Sequence, residues 1–374
     1  MTEGLTRRAM LGAAGAVALP RGALAAARGA GRRRLFAGGY NKEGGAGVLP
    51  LDYDPAAGTW RAHAAVAAAP DASYGVRHPR LGLHYLVQEG SDGQVAVFRP
   101  AGDTWHRLAR LSSGGADPCH LALSPDGRAL AVANYSSGSV ALIRLDRATG
   151  RPLGAAQVVA HRGSGPNAER QAAPHAHWVG FSPDARWLWS VDLGADAIFA
   201  HRYDAATARL GETKLAYRAV PGSGPRHLAF HPRLPLAYLV AELDNSVTVL
   251  RRADDGSFTA LARHTTLPPG FTGKSQAGAI AIDPAGRSLY ASNRGADSIA
   301  MFAIGADGAL TPGQTIACGG RWPRHIALLE RDARLLVANQ HSGTIDAFRI
   351  ARDGRLAPAG SAARAPGVAF VAPV

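Results

Sequence analysis

From residue 34 onward the chain repeats one hydrophobic–polar pattern at intervals of roughly fifty residues. Each copy holds a short apolar run, a proline-centred turn, a second apolar run, and a polar residue followed by Gly, Asp or Ser. The clearest copy begins at His120 (HLALSPDGRALAVANYSSGSVALIRL), and others begin at Gly75, Trp178, His227, Ala279 and His325. The turn prolines are Pro79, Pro125, Pro183, Pro232 and Pro284, with Glu330 in that place in the last copy. Short apolar runs bounded by turn residues read as strands. A strand repeat of this length predicts a β-propeller, one blade per copy.

Six copies are explicit, and the ends of the chain supply a seventh. Arg34–Tyr40 resembles a second run without its first, Gly47–Tyr53 follows as a third, and Gly367–Pro373 is an isolated strand-like run at the C-terminus. The expectation is an all-β fold: a seven-bladed β-propeller of four-stranded antiparallel blades, its ring closed by the N- and C-terminal strands, spanning 34–374. Closure in this way removes free sheet edges. The S-P-D-G-R turn at Ser124–Arg128 is turn chemistry alone: Pro presets φ, Asp bonds back into the turn, and Gly supplies positive φ.

The first residues follow a different logic. Thr6-Arg7-Arg8-Ala9-Met10-Leu11 is a twin-arginine pattern, an Ala-rich stretch follows, and Ala23-Leu24-Ala25 fits a small-residue cleavage site. Residues 1–27 therefore read as a twin-arginine signal peptide, engaging that export machinery and sending a folded protein to the periplasm or outside the cell. The apolar run is too short to span a bilayer, so no membrane association is expected after export.

Composition narrows the partners. The chain carries a formal charge of +13, but its basic residues are scattered, without the basic block of a nucleic-acid protein. An anionic small molecule remains open. No helical pattern follows the many glycines, which excludes Rossmann and phosphate-loop readings. The two cysteines, Cys119 and Cys318, fall in well-separated copies and are expected to be free thiols.

Aligning the copies shows where the repeat stops being structural. In a propeller the first strand of each blade lines the central channel and the second runs back beside it. The start of one and the end of the other therefore share a face of the disc. Six residues before the turn proline stand Ser73, Cys119, His177, Arg226, Gly278 and Arg324, followed by Tyr74, His120, Trp178, His227, Ala279 and His325. The second strands end at Glu89, Asn134, Asp192, Glu242, Asn293 and Asn339, several followed by a further polar residue such as Tyr135, Arg294 or Gln340. One reading is that these groups satisfy one another and cap strand ends. The other is a site, because capping alone would use the same residues in every blade.

Such a set suits opening or closure of a lactone, which needs a base for water, a cation for the oxyanion and an acid for the leaving oxygen. Glu242 and His177 are the candidate base and acid. Arg226 and Arg294 are candidates to grip a carboxylate or phosphate and steady the oxyanion. Glu89, His120, Asn134, His175, Asp192, His227, Asn293, Arg324, Asn339 and Gln340 are candidate substrate contacts. No G-x-S-x-G elbow is present, so no acyl-enzyme is expected. His175 and His177 have strand spacing for two metal ligands but no third partner in sequence. The oxygen-rich ring Glu89, Asn134, Asp192, Glu242 and Asn293 would suit calcium.

Longer phrases carry a family resemblance: P-C-H-L-A-L-S-P-D-G-R with A-N-Y-S-S-G-S-V, P-H-A-H-W-V-G-F-S-P-D with V-D-L-G-A-D, P-R-H-L-A-F-H-P with A-E-L-D-N-S-V-T-V, A-S-N-R-G-A-D-S-I-A, and P-R-H-I-A-L with A-N-Q-H-S-G. Together they resemble the seven-bladed propeller lactonases of the 6-phosphogluconolactonase type, across nearly all of residues 34–374. The same family includes the carboxy-cis,cis-muconate cyclases, whose proposed catalytic His, two Arg and Glu correspond to His177, Arg226, Arg294 and Glu242. The resemblance implies a lactonase that needs no metal and no cofactor. Two departures stand out: Ala279 where family members usually carry an acid, and Glu330-Arg331-Asp332 in place of the last proline turn. The sequence thus points to hydrolysis of a sugar lactone, 6-phosphogluconolactonase-like and, given export, of an unphosphorylated aldonolactone. A calcium-dependent gluconolactonase-like enzyme and a non-catalytic exported propeller binding a sugar or protein are the alternatives.

Overall fold

The computed structural model describes residues 31–374. Residues 1–27, expected from sequence to be a signal peptide, lie outside the described residues. Seven antiparallel sheets follow one another along the chain, each containing a path of four strands. The first blade joins the chain ends: Val368–Pro373 is innermost and pairs with Arg33–Gly39, followed by Leu49–Asp54 and Thr59–Ala62. The second to fourth blades begin with the innermost strands Gly75–Arg77, Pro118–Leu123 and Ala176–Phe181. The fifth to seventh begin with Pro225–Phe230, Gln276–Ile282 and Pro323–Leu329. Where the last copy lacks the proline, Glu330–Asp332 forms a 3-10 turn ending in left-handed Ala333.

The core is a set of seams between neighbouring blades, seven apolar clusters in all among the described residues. Leu35, Tyr53, Leu336 and Val371 close the seam between the last blade and the first. Alternation along the strands sends one face of each blade into the seam before it and the other into the seam after it. The second strands are consequently buried on both sides; Ala129–Asn134 and Leu236–Ala241 have no exposed residue.

A second device crosses four of the seams. The hydroxyls of Tyr85, Tyr238 and Tyr290 donate to the carbonyls of Gly150, Gly308 and Gly354 in the next blade, at 2.7, 2.9 and 2.8 Å. The Trp189 indole donates to Gly256 in the same manner at 2.8 Å. Each acceptor glycine has positive φ, which holds the outer turn against the neighbour's aromatic side chain. Tyr238 is fully buried, so Tyr238→Phe leaves the Gly308 carbonyl without its donor and is expected to destabilise the fold by about 1–3 kcal/mol. Denaturant unfolding of the two proteins checks this; an unchanged midpoint contradicts it.

Candidate active site at the channel mouth

The innermost strands share an irregularity that builds the site. Pairing with the second strand slips by one residue between Pro118 and His120, Ala176 and Trp178, Pro225 and His227, Ala277 and Ile280, and Pro323 and His325. The closing strand has the same bulge at Ala369. A bulge re-aims a side chain that alternation would send elsewhere. The bulged residues include Cys119, His177, Arg226 and Arg324, and the residues after them form a second layer below. There Tyr74 stacks on His120 at 4.2 Å, His120 meets His227 at 5.3 Å, and His325 contacts Tyr74 and Phe370. This aromatic layer floors the charged cluster.

At the ends of the second strands the structure separates two positions that the sequence pattern merges. Asn134, Asp192, Asn293 and Asn339 pair opposite Pro118, Ala176, Ala277 and Pro323 and are fully buried. Their side chains bond to the segment that leads out of the preceding blade. Asn134 donates to the Ser113 carbonyl, Asn293 to that of Thr266 and Asn339 to that of Cys318. Asp192 accepts from the amides of His175 and Ala195 and pairs with His161. These four, expected among the substrate contacts, do not join the cluster; they tie strand ends together. The mouth is lined by the next residue in six of the blades, Tyr40, Glu89, Tyr135, Glu242, Arg294 and Gln340, while the fourth blade has the buried Leu193 there.

Glu242 is the centre of that cluster. Its Oε1 accepts from Arg170 Nη2 at 2.8 Å, and its Oε2 accepts from Arg226 Nε at 3.1 Å and faces Arg294 Nη2 at 2.7 Å. Arg226 also donates to the Gly278 carbonyl and Arg294 to that of Ala277, both at 2.8 Å. Burial works to raise the Glu242 pKa, but Arg294, Arg226, His177 and Arg170 outweigh it and hold the carboxyl far below the usual range. Burial, reinforced by Arg294, pulls Arg226 down to about 9, against Glu242, so it remains a cation at neutral pH.

Arg170 was invisible to the repeat. It sits in the loop between Gln157–Ala160 and Ala176–Phe181, on a turn where Asn167 accepts from the Arg170 and Gln171 amides. Buried Gln171 anchors that loop to the Leu193 carbonyl at 2.8 Å. The only sequence signal is the long interval between Pro125 and Pro183. Tyr135, whose hydroxyl accepts from Arg170 at 3.1 Å, stacks on His175 at 4.5 Å.

Arg324 differs from the other three arginines. It is half-buried, lies 5.2 Å from the centroid of the Tyr40 ring, and makes no hydrogen bond or ion pair to a described residue. Glu89 stands nearby, accepting from the Tyr40 hydroxyl at 2.9 Å and from Ser73. Burial raises the Glu89 pKa, with Arg324 opposing. Gln340 donates to both carboxylate oxygens of Glu43 and makes no hydrogen bond to the arginine cluster among the described residues.

His177 has Nδ1 at 3.9 Å from Cys119 Sγ and no hydrogen-bond partner for Nε2 among the described residues. A Cys–His nucleophile is not formed: burial raises the Cys119 pKa, so the group is a thiol. Both cysteines are free and buried. No cluster of three His, Cys, Asp or Glu side chains suited to a metal occurs among the described residues. His175 points to the Tyr135 carbonyl, and the carboxylates of the proposed calcium ring have the separate partners given above.

The arrangement defines a propeller enzyme: a rigid ring presenting a neutral imidazole, an unpaired guanidinium and a braced cation cluster at one channel mouth. Residues 34–373 match the family described as Lactonase, 7-bladed beta-propeller. The chain is 31% identical over 332 residues to 6-phosphogluconolactonase of Bacillus subtilis, covering 86% of this chain and 92% of that protein. The solved structure of Pseudomonas aeruginosa periplasmic gluconolactonase superposes with a TM-score of 0.85 at 30% identity, over 91% of this chain and 99% of that one. A Lactobacillus plantarum protein superposes with a TM-score of 0.85 at 29% identity, with the same coverage. The chain belongs to the seven-bladed β-propeller lactonases, hydrolases that open lactone esters.

The histidines give the site a pH signature. Burial, then the charge of Arg226, lowers the pKa of His120, His177, His227 and His325, the last to about 3. In the unfolded chain they titrate near about 6.5. Below that value the unfolded state binds protons that the native state refuses, so stability falls as the pH drops toward the lowered values. The thermal midpoint is expected to decline once the pH passes below about 6.5, before carboxylates titrate near about 4. A midpoint flat across that interval contradicts neutral burial of these rings.

Proposed function

We propose that this chain is an exported hydrolase of sugar lactones, acting by direct attack of water at the channel mouth. The observation that carries the reading is the unpaired guanidinium of Arg324 beside three arginines already braced by Glu242. Such a site has cationic capacity left for an anion that develops during reaction.

In this mechanism the lactone carbonyl oxygen faces Arg324 and the free edge of Arg226. Water attacks the carbonyl carbon while His177, neutral and with Nε2 open, takes its proton. The tetrahedral oxyanion is held by guanidinium groups fixed in advance, which need no reorganisation as charge appears. Collapse breaks the bond to the ring oxygen, which receives the proton from His177. The hydroxy acid then ionises and releases one proton to solvent. Glu242, the base expected from sequence, serves here as the fixed anion that aligns Arg170, Arg226 and Arg294. Both oxygens of that carboxylate already accept from guanidiniums, whereas Nε2 of His177 is uncommitted.

The twin-arginine pattern at Arg7-Arg8 supports export and hence an unphosphorylated aldonolactone. The relatives include both a 6-phosphogluconolactonase and a periplasmic gluconolactonase.

The test is pH-stat turnover of gluconolactone and its 6-phosphate by the mature protein, corrected for spontaneous opening. Faster opening of gluconolactone is expected. Preference for the 6-phosphate overturns the substrate assignment, and no opening of either overturns the function. Arg324→Ala is expected to lower kcat by about 100-fold or more, the scale of losing one oxyanion donor; full activity removes it from the mechanism. Glu242→Gln is expected to lose activity and about 3–5 kcal/mol of stability, because its arginines are left unneutralised. Retained stability in denaturant contradicts the bracing role.

A further inference from the structure

A left-handed backbone position recurs just before the innermost strand. It is occupied by Gly367, Asp71, Asp117, Gly224 and Trp322, with φ of 66, 47, 52, 61 and 65°. In each case the carbonyl of that residue accepts from the amide of the mouth-lining residue: Tyr40, Glu89, Tyr135, Glu242 or Gln340. The conformation therefore belongs to the blade, and Gly and Asp are the residues that adopt it readily. Trp322 is not such a residue. Nine non-glycine residues have positive φ among those described, and the other eight are Asp, Asn or Ala. A bulky side chain held there is strained, and strain of this kind persists where the side chain has a task.

The surroundings of Trp322 identify the task. Its ring lies 5.6 Å from the Arg294 guanidinium and stacks on His341 at 4.6 Å with an interplanar angle of 16°. Arg294 is only 3% exposed and its Nε has no hydrogen-bond partner among the described residues. The indole covers a guanidinium that its own hydrogen bonds leave incompletely fixed. An aromatic face attracts a cation and excludes water from it, and in a drier setting the cation acts more strongly on nearby charge.

We propose that Trp322 is a positioning residue for the lactonase reaction: it shields Arg294 from solvent and holds its guanidinium against Glu242. The catalytic part of this inference rests on the function proposed above; the shielding part does not.

The experiment compares Trp322→Gly, which restores a residue the repeat uses at this position, with Trp322→Phe, which keeps an aromatic face. Labelling by phenylglyoxal, mapped to Arg294 by mass spectrometry, reads the shield without any substrate. Gluconolactone turnover at low and high salt reads its consequence. Trp322→Gly is expected to label Arg294 several-fold faster, to lose at least about tenfold in kcat/KM and to become more salt-sensitive. Its thermal midpoint should be unchanged or raised. Trp322→Phe should stay near wild type in both readouts. Unchanged Arg294 labelling in Trp322→Gly overturns the shield. Faster labelling with unchanged turnover overturns the positioning role. If the wild-type protein opens no lactone, the proposed function and with it the positioning role fail, while labelling still decides the shield. A lowered midpoint with equal loss in Trp322→Phe assigns Trp322 to packing and also overturns the proposal.

Discussion

Everything in this protein depends on the pairing of its last strand with its first. Each blade buries its faces only against its neighbours, so an unclosed ring would leave one apolar seam open to water. The antiparallel ladder between Val368–Pro373 and Arg33–Gly39 closes that seam and completes the first blade. It also brings Phe370 into the aromatic floor beside Tyr74 and His325. Closure thus sets the circumference of the channel and with it the distance between groups contributed by different blades.

Within that ring, function comes from a repeated defect. The bulge in six of the seven innermost strands turns a residue toward the mouth without altering the seams. Because the defect is common to these blades, its residue can differ in each: a thiol at Cys119, an imidazole at His177, guanidiniums at Arg226 and Arg324. The carboxylate of Glu242 then organises cations from three blade regions, including Arg170 from an inter-blade loop. Breaking a buried charge cluster of this kind is costly, which makes it a strong constraint on local geometry.

The fold was legible because strand runs, turn prolines and spacing all agree. His177, Arg226, Glu242 and Arg294 were legible because they depart from the repeat at corresponding positions. What stayed hidden has physical reasons. Asn134 and Glu242 look equivalent in sequence, yet they sit one residue apart in register, and a single-residue shift in a strand reverses the direction of a side chain. Arg170 lies outside the repeat, so no alignment of copies could find it. The ties from Tyr85, Trp189, Tyr238 and Tyr290 join residues more than sixty positions apart and leave no local pattern. Nothing in the sequence distinguishes Trp322, whose peculiarity lies in its backbone angle.

The location of the closing strand also has a consequence for biosynthesis. Within this domain residues 368–373 are synthesised after every other strand, and the strand they must pair with, Arg33–Gly39, before every other. The six blades made before that strand cannot by themselves be the finished ring, which must wait for its last strand. The amide of Val374 bonds the Arg34 carbonyl at 3.1 Å, so the two ends of the finished domain lie side by side. A short linker could therefore join them, and the chain could be opened at a surface turn of another blade, giving a circular permutant whose closing strands come from the middle of the present sequence.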